Sequence, residues 1–381
     1  MTMHRLWHKG MTLLVDQSDI RWIPDPRPRI HDPGSTTLVA RWSIPRPAAL
    51  GSRSYGPSGP RPHPPAPTGM ETGSRPDTPT RLDNVNAADL LIDAVAARPD
   101  TAASDIAVHW VDRDRLLTYR EAVDAMARAA AVLDGFGVPA GGRVGLFAHP
   151  GLDYVVALLG TWRLGATAVL VDLADKDRFH ELMTAAAPHA VVYTNDHFDY
   201  VRPTLAALGS GDSPTVFAGM DGPQEGTVGW LDALADATPM AEPPSTAPPD
   251  AAATSTNTTA ANAIALTAPA SATTRTHADL IEAATSVAAR LDLTPDDATL
   301  CPTPLAQPFH LEASILPALM RGATAGLLKS WQPDDAWDAM DRNGTTVLCG
   351  TDAHAADLAR VSAARGRSPS AFRIALIEAD L

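Results

Sequence analysis

The clearest alternation of apolar and polar positions lies between residues 117 and 172. Small and apolar side chains recur three and four residues apart from Ala122 to Leu133, which predicts a helix with one buried face. Gly137 supplies the left-handed conformation that ends such a helix. The elements predicted after it are a strand over 143–148, a helix up to Gly165 and a strand over 167–171. Both strands are apolar on both faces, which is typical of parallel strands covered by helices.

The alternation resumes after residue 262 and continues along the rest of the chain. The predicted elements there are strands 263–267, 298–301, 323–328, 345–349 and 371–377, and helices 277–291, 311–321, 333–342 and 352–362. An earlier helix, capped by Asn86, is predicted to run to about Ala97. Strands that alternate with helices predict an α/β fold of layered, mostly parallel sheets flanked by helices.

Two segments interrupt this pattern and divide the chain. Residues 1–80 hold fourteen of the 34 prolines and no apolar periodicity, which predicts a disordered tail. The alternative is that this segment is upstream sequence translated before the natural start codon, which would lie at or near Met70. Residues 239–262, rich in Pro, Ser, Thr and Ala, are predicted to form a flexible linker or surface loop. We expect the remaining parts, 81–238 and 263–381, to be two α/β subdomains, because about 300 residues normally split around more than one core.

The charge of the chain narrows its classes of partner. The formal net charge is −14, with 36 Asp and 8 Glu against 27 Arg and 3 Lys. An acidic chain without a basic stripe does not favour a nucleic-acid partner. The acid-rich, lysine-poor composition is typical either of a halophilic organism, whose salt screens self-repulsion, or of a genome rich in G and C.

Cysteine usage and hydropathy indicate a cytoplasmic protein. The two cysteines, Cys301 and Cys349, form no disulfide framework and stand in no metal-ligand spacing, so no metal site is predicted. No apolar stretch approaches the ~18 residues that span a bilayer. The apolar run over 11–15 is too short for a signal peptide.

The segment over 117–172 resembles the opening of a known family. Thr118-Tyr119, the glycines before Arg143-Val144 and the Gly165-Ala166 pair are spaced as in the acyl-adenylate-forming (AMP-binding) ligases. That superfamily contains acyl-CoA synthetases, peptide-synthetase adenylation domains and luciferases. The resemblance implies an incomplete large N-terminal domain of such an enzyme.

The resemblance also implies a reaction that uses ATP and Mg²⁺. A carboxylate attacks the α-phosphorus of ATP, pyrophosphate leaves, and the acyl group passes to a thiol of CoA or of a carrier protein. Chemistry of this kind depends on positioning and charge stabilisation. In the family a glycine-rich loop cradles the phosphates, and a Thr-His pair then opens a helix; the pair is present here as Thr276-His277.

The loop before that pair departs from the family pattern. Residues 267–275 contain no glycine and no lysine, and Pro269 offers no amide donor. Hydroxyl groups remain as candidate phosphate ligands, on Thr267, Ser271, Thr273 and Thr274. A plain strand-to-helix turn is the alternative interpretation of this loop.

A second stretch, 304–310, resembles the family's PLFHxxG motif. In the family its histidine lines the acyl pocket, so His310 is expected to face the carboxylate end of the substrate. The alternative is a histidine with a structural role only. Leu316-Pro317 and Gly322-Ala323-Thr324 then match the family's next helix and strand.

The last residues resemble the family's LRxxxxGGAPL stretch, with Glu378-Ala379 in place of the paired glycines. The aromatic-Gly-x-Thr-Glu motif and the catalytic lysine of the family's C-terminal lid are not found in this sequence. We therefore expect a truncated acyl-CoA-synthetase-type ligase, of fatty acid metabolism by its class, with impaired or no activity alone. The alternatives are half of a split ligase completed by a partner chain, and a non-catalytic protein that binds an acyl group, a nucleotide or a partner. The sequence does not specify the acid.

Overall fold

The structure is a computed structural model that describes residues 86–97, 105–210, 213–242 and 274–378, together with the backbones of strands at 11–15, 20–24, 37–41 and 264–266. The strands are β1 (Met11–Val15), β2 (Ile20–Pro24), β3 (Thr37–Arg41), β4 (Ile106–Trp110), β5 (Arg115–Thr118), β6 (Arg143–Phe147), β7 (Thr167–Leu170), β8 (Ala190–Tyr193), β9 (Val216–Gly219), β10 (Val228–Gly229), β11 (Ile264–Leu266), β12 (Thr274–Arg275), β13 (Ala298–Cys301), β14 (Thr324–Leu327), β15 (Val347–Thr351) and β16 (Ile374–Glu378). The helices are α1 (Asp89–Ala97), α2 (Tyr119–Gly135), α3 (Leu152–Arg163), α4 (Phe179–Ala186), α5 (Phe198–Leu208), α6 (Trp230–Asp236), α7 (His277–Arg290), α8 (Pro308–His310), α9 (Leu316–Arg321), α10 (Pro333–Arg342) and α11 (Asp352–Arg365). Short 3₁₀ turns span Leu173–Arg178 and Asn195–His197, and a π-helical turn spans Leu311–Ile315.

Two sheets organise the described part of the chain. The first sheet has the strand order β10-β9-β8-β6-β7-β11-β12, and all neighbours from β10 to β11 are parallel. The second sheet has the order β2-β1-β3-β16-β15-β13-β14-β4-β5, with β16, β15, β13, β14 and β4 parallel. Helices connect the parallel strands, so the predicted α/β fold of layered, mostly parallel sheets is confirmed.

The two sheets share one apolar core. Its largest cluster of buried side chains combines Val144 of the first sheet, Leu327 of the second, and residues of α1, α2, α3, α7 and α9. These helices therefore form a layer that both sheets use for burial. Trp162 and Tyr119, both fully buried, belong to it. The phenol of Tyr119 donates to the carbonyl oxygen of Ala323 at 2.9 Å, which ties α2 to the start of β14.

Local sequence explains where the helices begin and end. The Thr118 side chain accepts a hydrogen bond from the backbone of Glu121, and the Glu121 carboxylate accepts one from the Thr118 amide, so a capping box opens α2. The same helix ends just before Gly137, whose φ of 80° is the left-handed conformation expected there. In the second half, α7, β13 and α10 lie within one residue of their predicted bounds.

Strand exchange is the feature that the sequence pattern did not predict. Strands β4 and β5 precede the linker at 239–262 but pair in the second sheet, while β11 and β12 follow it and pair in the first. The subdomain bounds 81–238 and 263–381 stay a prediction, yet each sheet takes strands from both ranges. Strands β1, β2 and β3 lie inside the tail predicted to be disordered, and β3 pairs antiparallel with β16. These strands are the described part of residues 1–80, and the disordered tail stays a prediction.

Candidate functional site

The second sheet has a topological switch point at the carboxyl end of β13. The chain passes from β13 to its neighbour β14 on one side. It then crosses back over β13 to form β15 on the other side. Ligands of open α/β sheets bind in the crevice outside the carboxyl ends of strands at such a point. Here β13 ends at Cys301 and β15 at Thr351. The chain after Cys301 leads directly to His310.

His310 lies fully buried at this switch point. Its Nδ1 lies 2.6 Å from the carbonyl oxygen of Thr303. A carbonyl oxygen can only accept, so Nδ1 carries the proton and donates it. Burial lowers the pKa of His310 to about 4, which leaves the ring neutral at pH 7. Nε2 is then a hydrogen-bond acceptor, and it has no partner among the described residues.

A π-helical turn, Leu311–Ile315, follows His310 directly. Such turns inside α-helices are frequent at functional sites, because they change the direction of the side chains before them. Glu312 of this turn lies 3.3 Å from Nε of Arg275, an ion-pair distance without hydrogen-bond alignment. This pair joins the last residue of the predicted phosphate loop to the helix of His310. The charge of Arg275 is thereby directed to a carboxylate.

Of the four predicted phosphate ligands, the structure describes Thr274 alone. Thr267, Ser271 and Thr273 lie outside the described residues, and Thr274 is an exposed residue of β12. The role of all four hydroxyls stays a prediction.

The Thr-His pair after the loop has a structural role in this structure. Thr276 and Asp279 form a capping box that opens α7. Nδ1 of His277 accepts a hydrogen bond from the backbone amide of Ala87 at 3.1 Å, and its ring lies edge-on to Trp162. Burial lowers the pKa of His277 to about 4. The pair anchors α7 against the residues that precede α1.

The two cysteines lie buried on adjacent strands, β13 and β15. The thiol of Cys301 lies 3.1 Å from the hydroxyl of Thr303, and the thiol of Cys349 donates to the carbonyl oxygen of Ala313 at 3.1 Å. Burial, and to a lesser extent the neighbouring Cys301, raises the pKa of Cys349 well above its ordinary value. A buried, protonated thiol is inert, so Cys349 is a core residue and not a nucleophile.

Two surface clefts lie away from His310. They have volumes of about 310 and 320 Å³ and lie at opposite ends of β14, beside Thr324 and Leu328 respectively. Neither is lined by His310.

Sequence reasoning missed a second polar group, at the carboxyl edge of the first sheet. His149, Asp196 and His197, here called the His–Asp–His cluster, place one potential ligand atom each within 4.8 Å of the others. No metal site was predicted, because His149 is distant in sequence from the other two. The signal available in the sequence was that His149 and the Asp196-His197 pair each come shortly after a short apolar strand.

Among the residues that the structure describes, no helix combines the length and apolar character needed to cross a membrane.

Comparison with known proteins identifies the family. The family model described as AMP-binding enzyme matches residues 93–379. A salicyl-AMP ligase / salicyl-S-ArCP synthetase of Mycobacterium tuberculosis is 32% identical over 265 residues, which cover 65% of this chain and 45% of that protein. The apo structure of MbtA from Mycobacterium smegmatis has a TM-score of 0.60 and 26% identity, covering 73% of this chain and 50% of that one. The anthranilate CoA ligase AuaEII, solved with anthranoyl-AMP, has a TM-score of 0.63 at 17% identity, over 76% of this chain and 54% of its own, and shows the same fold. The chain thus spans about half the length of these relatives.

Proposed function

Because the chain belongs to the family of AMP-binding enzymes, we propose that it binds a carboxylic acid, specifically an aryl acid, for activation by ATP. In that reaction a carboxylate oxygen attacks the α-phosphorus of ATP and pyrophosphate leaves. ATP and Mg²⁺ are the expected cofactors, and a thiol of CoA or of a carrier protein is the expected acyl acceptor. A cytoplasmic location suits these reactants.

The observation that carries the proposal is the free acceptor atom of His310. A buried nitrogen without a partner costs free energy of about 1–3 kcal/mol unless a ligand supplies the hydrogen bond. Nδ1 is committed to Thr303, so Nε2 offers a lone pair and no proton. The resemblance suggested that His310 faces the carboxylate. A neutral acceptor suits instead a hydroxyl or amino group beside the carboxylate.

An aryl acid with a donor in the ortho position fits this acceptor. Salicylate carries an ortho hydroxyl and anthranilate an ortho amino group, and benzoate carries neither. One relative, at 32% identity, is a salicyl-AMP ligase. Its name supports an aryl acid over a fatty acid as the substrate.

The loop over 267–275 argues for weak catalysis by this chain alone. Without glycine its backbone amides approach a phosphate less closely, and without lysine it has no ammonium group for the leaving pyrophosphate. Arg275 is directed to Glu312. We propose that pyrophosphate release is slow. This loop also favours the second candidate function, an acid- or nucleotide-binding protein without catalysis.

Binding measurements test the acid site without requiring catalysis. Equilibrium dialysis of the full chain is expected to show salicylate bound about 3–10-fold more tightly than benzoate, the value of one hydrogen bond of about 0.5–1.5 kcal/mol. His310→Leu removes the acceptor, so this preference should disappear. His180→Leu, at an exposed histidine on α4, is the matched control and should keep it. Equal affinity of the wild-type chain for both acids contradicts the proposed role of His310.

An exchange assay separates the two candidate functions. Acid-dependent exchange of pyrophosphate into ATP by the purified chain is expected to be absent or very slow. Rapid exchange that is lost in Thr267→Ala or Ser271→Ala would show a working phosphate loop and exclude the non-catalytic alternative. Acid binding without exchange supports that alternative.

A further inference from the structure

The His–Asp–His cluster lies at the switch point of the first sheet. Strand β6 has β7 on one side and β8 on the other. His149 comes two residues after the end of β6, and Asp196 and His197 lie in the 3₁₀ turn after β8. The crevice between these two carboxyl ends is where open α/β sheets bind their ligands. It is separate from the switch point that holds His310.

The side chains of the cluster converge on one position. Nε2 of His149 lies 2.7 Å from Oδ2 of Asp196, and Nδ1 of His197 lies 2.6 Å from Oδ1 of the same carboxylate. All three ligand atoms lie within 4.8 Å of one another. Two imidazole nitrogens and one carboxylate oxygen are a common ligand set for catalytic zinc, with the fourth position left to water or substrate.

Neighbouring groups hold the two imidazoles in place. The backbone amide of His149 donates to the hydroxyl of Thr194 at 2.9 Å. The ring of His197 lies edge-on to Phe147, with centroids 5.3 Å apart, and the two histidine rings lie 4.9 Å apart at 75°. The ligands are therefore positioned before any ion arrives, which lowers the entropic cost of binding.

The cluster is most open to solvent on the side of Asp196. The side chains of His149 and His197 are 22% and 14% exposed, whereas that of Asp196 is 54% exposed. The carboxylate therefore faces solvent, while the imidazoles form the inner wall.

We propose that the His–Asp–His cluster binds one divalent transition-metal ion, with zinc as the reference ion. Ligand atoms around tetrahedral zinc lie about 3.3 Å apart, given bonds of about 2.0 Å. The half-exposed carboxylate must therefore withdraw by about half an ångström from each imidazole. Each imidazole then presents a lone pair in place of its N–H. The proton moves to the other ring nitrogen, or to solvent where the ring is cationic.

A zinc titration of the full chain against a chromophoric chelator tests the site. Histidines elsewhere in the chain also bind zinc, so the informative quantity is the difference between variants. His149→Ala, His197→Ala and Asp196→Asn are each expected to lose one equivalent of tight binding, with affinity reduced at least 10–100-fold. His180→Ala, the matched control on α4, should lose none. Mg²⁺, which prefers all-oxygen sites, should not compete.

Cobalt provides an independent readout, which does not depend on the number of zinc equivalents bound. Co²⁺ bound to this ligand set should give visible ligand-field bands that Asp196→Asn abolishes. The asparagine has nearly the same shape, so its circular dichroism spectrum should match that of the wild-type chain. If natively folded Asp196→Asn binds zinc as tightly and with the same stoichiometry as wild type, or if wild type binds no more zinc than the three variants do, the proposal is wrong.

Discussion

Helices α2 and α3 cross in the shared layer at Gly160, and Gly160→Ala tests how tightly that layer is packed. A Cβ at this position would overlap the Cβ of Ala129 and lie 3.0 Å from the Ala129 carbonyl carbon and the Ala130 amide nitrogen. Carbon atoms prefer separations of about 3.5–4.0 Å, and here the contacting atoms belong to two rigid helices. The helices must therefore move apart, at a cost of about 3 kcal/mol, the upper part of the usual range for overpacking. Alanine recovers about 1 kcal/mol in helix propensity. The net destabilisation is about 2 kcal/mol.

Thermal and denaturant unfolding measure this effect against a matched substitution. For a domain of this size, about 2 kcal/mol lowers Tm by roughly 3–4 °C. Gly135→Ala makes the same chemical change in α2, where a Cβ meets no atom within 4 Å, and should leave stability unchanged or slightly raised. Ala129→Gly in the Gly160→Ala background removes the overlapping methyl and should restore part of the loss. If Gly160→Ala is as stable as Gly135→Ala, the close crossing of the two helices does not exist.

Three further outcomes follow from buried polar groups. Burial lowers the pKa of His277 and His310 to about 4, so below pH 6.5 the unfolded chain takes up protons that the folded chain refuses. The free energy of unfolding should therefore fall between pH 6.5 and 4, by up to about 3 kcal/mol for each histidine. Urea titrations at several pH values measure this fall, which should be shallower in His310→Gln. Nε of Arg373 donates to Asp297, which is 7% exposed, at 2.8 Å. Arg373→Leu leaves that carboxylate without its cation and should cost about 2 kcal/mol in denaturant unfolding; an unchanged midpoint would show that the pair contributes nothing. Tyr119→Phe removes a buried donor and should cost about 1 kcal/mol by the same measurement, with a loss under 0.3 kcal/mol refuting the role of its hydroxyl.

Apolar periodicity was sufficient to predict most elements and the fold class. Helix α7 agrees with the sequence pattern because one buried face dictates it, and strand β13 agrees because it is a short run buried on both faces. Strand pairing was not predictable in the same way. The parallel contact of β14 with β4 joins residues that are more than 200 positions apart, and nothing in either strand encodes that partner. The strand exchange between the sheets was therefore invisible in the sequence.

The candidate site was predictable only in part, for a similar reason. A motif located His310, but its burial and the hydrogen bond of its Nδ1 required the fold. The free acceptor at Nε2 then changed the expected ligand group from a carboxylate to a neighbouring hydroxyl or amino group. The His–Asp–His cluster carried no motif at all, because its members meet only when β6 and β8 pair. Thr267, Ser271 and Thr273 remain predictions.

The π-helical turn after His310 sets the rotational phase between that histidine and the rest of its helix. An α-helix advances about 100° per residue, and a π turn accommodates one residue more than an α turn would. Deleting one residue from Leu311–Ile315 would convert the turn to α-helical geometry and keep the buried face of α9 in place. His310 would then rotate by about 100° away from Thr303. A single deletion would thus move the acceptor atom while leaving His310 and Thr303 themselves unchanged.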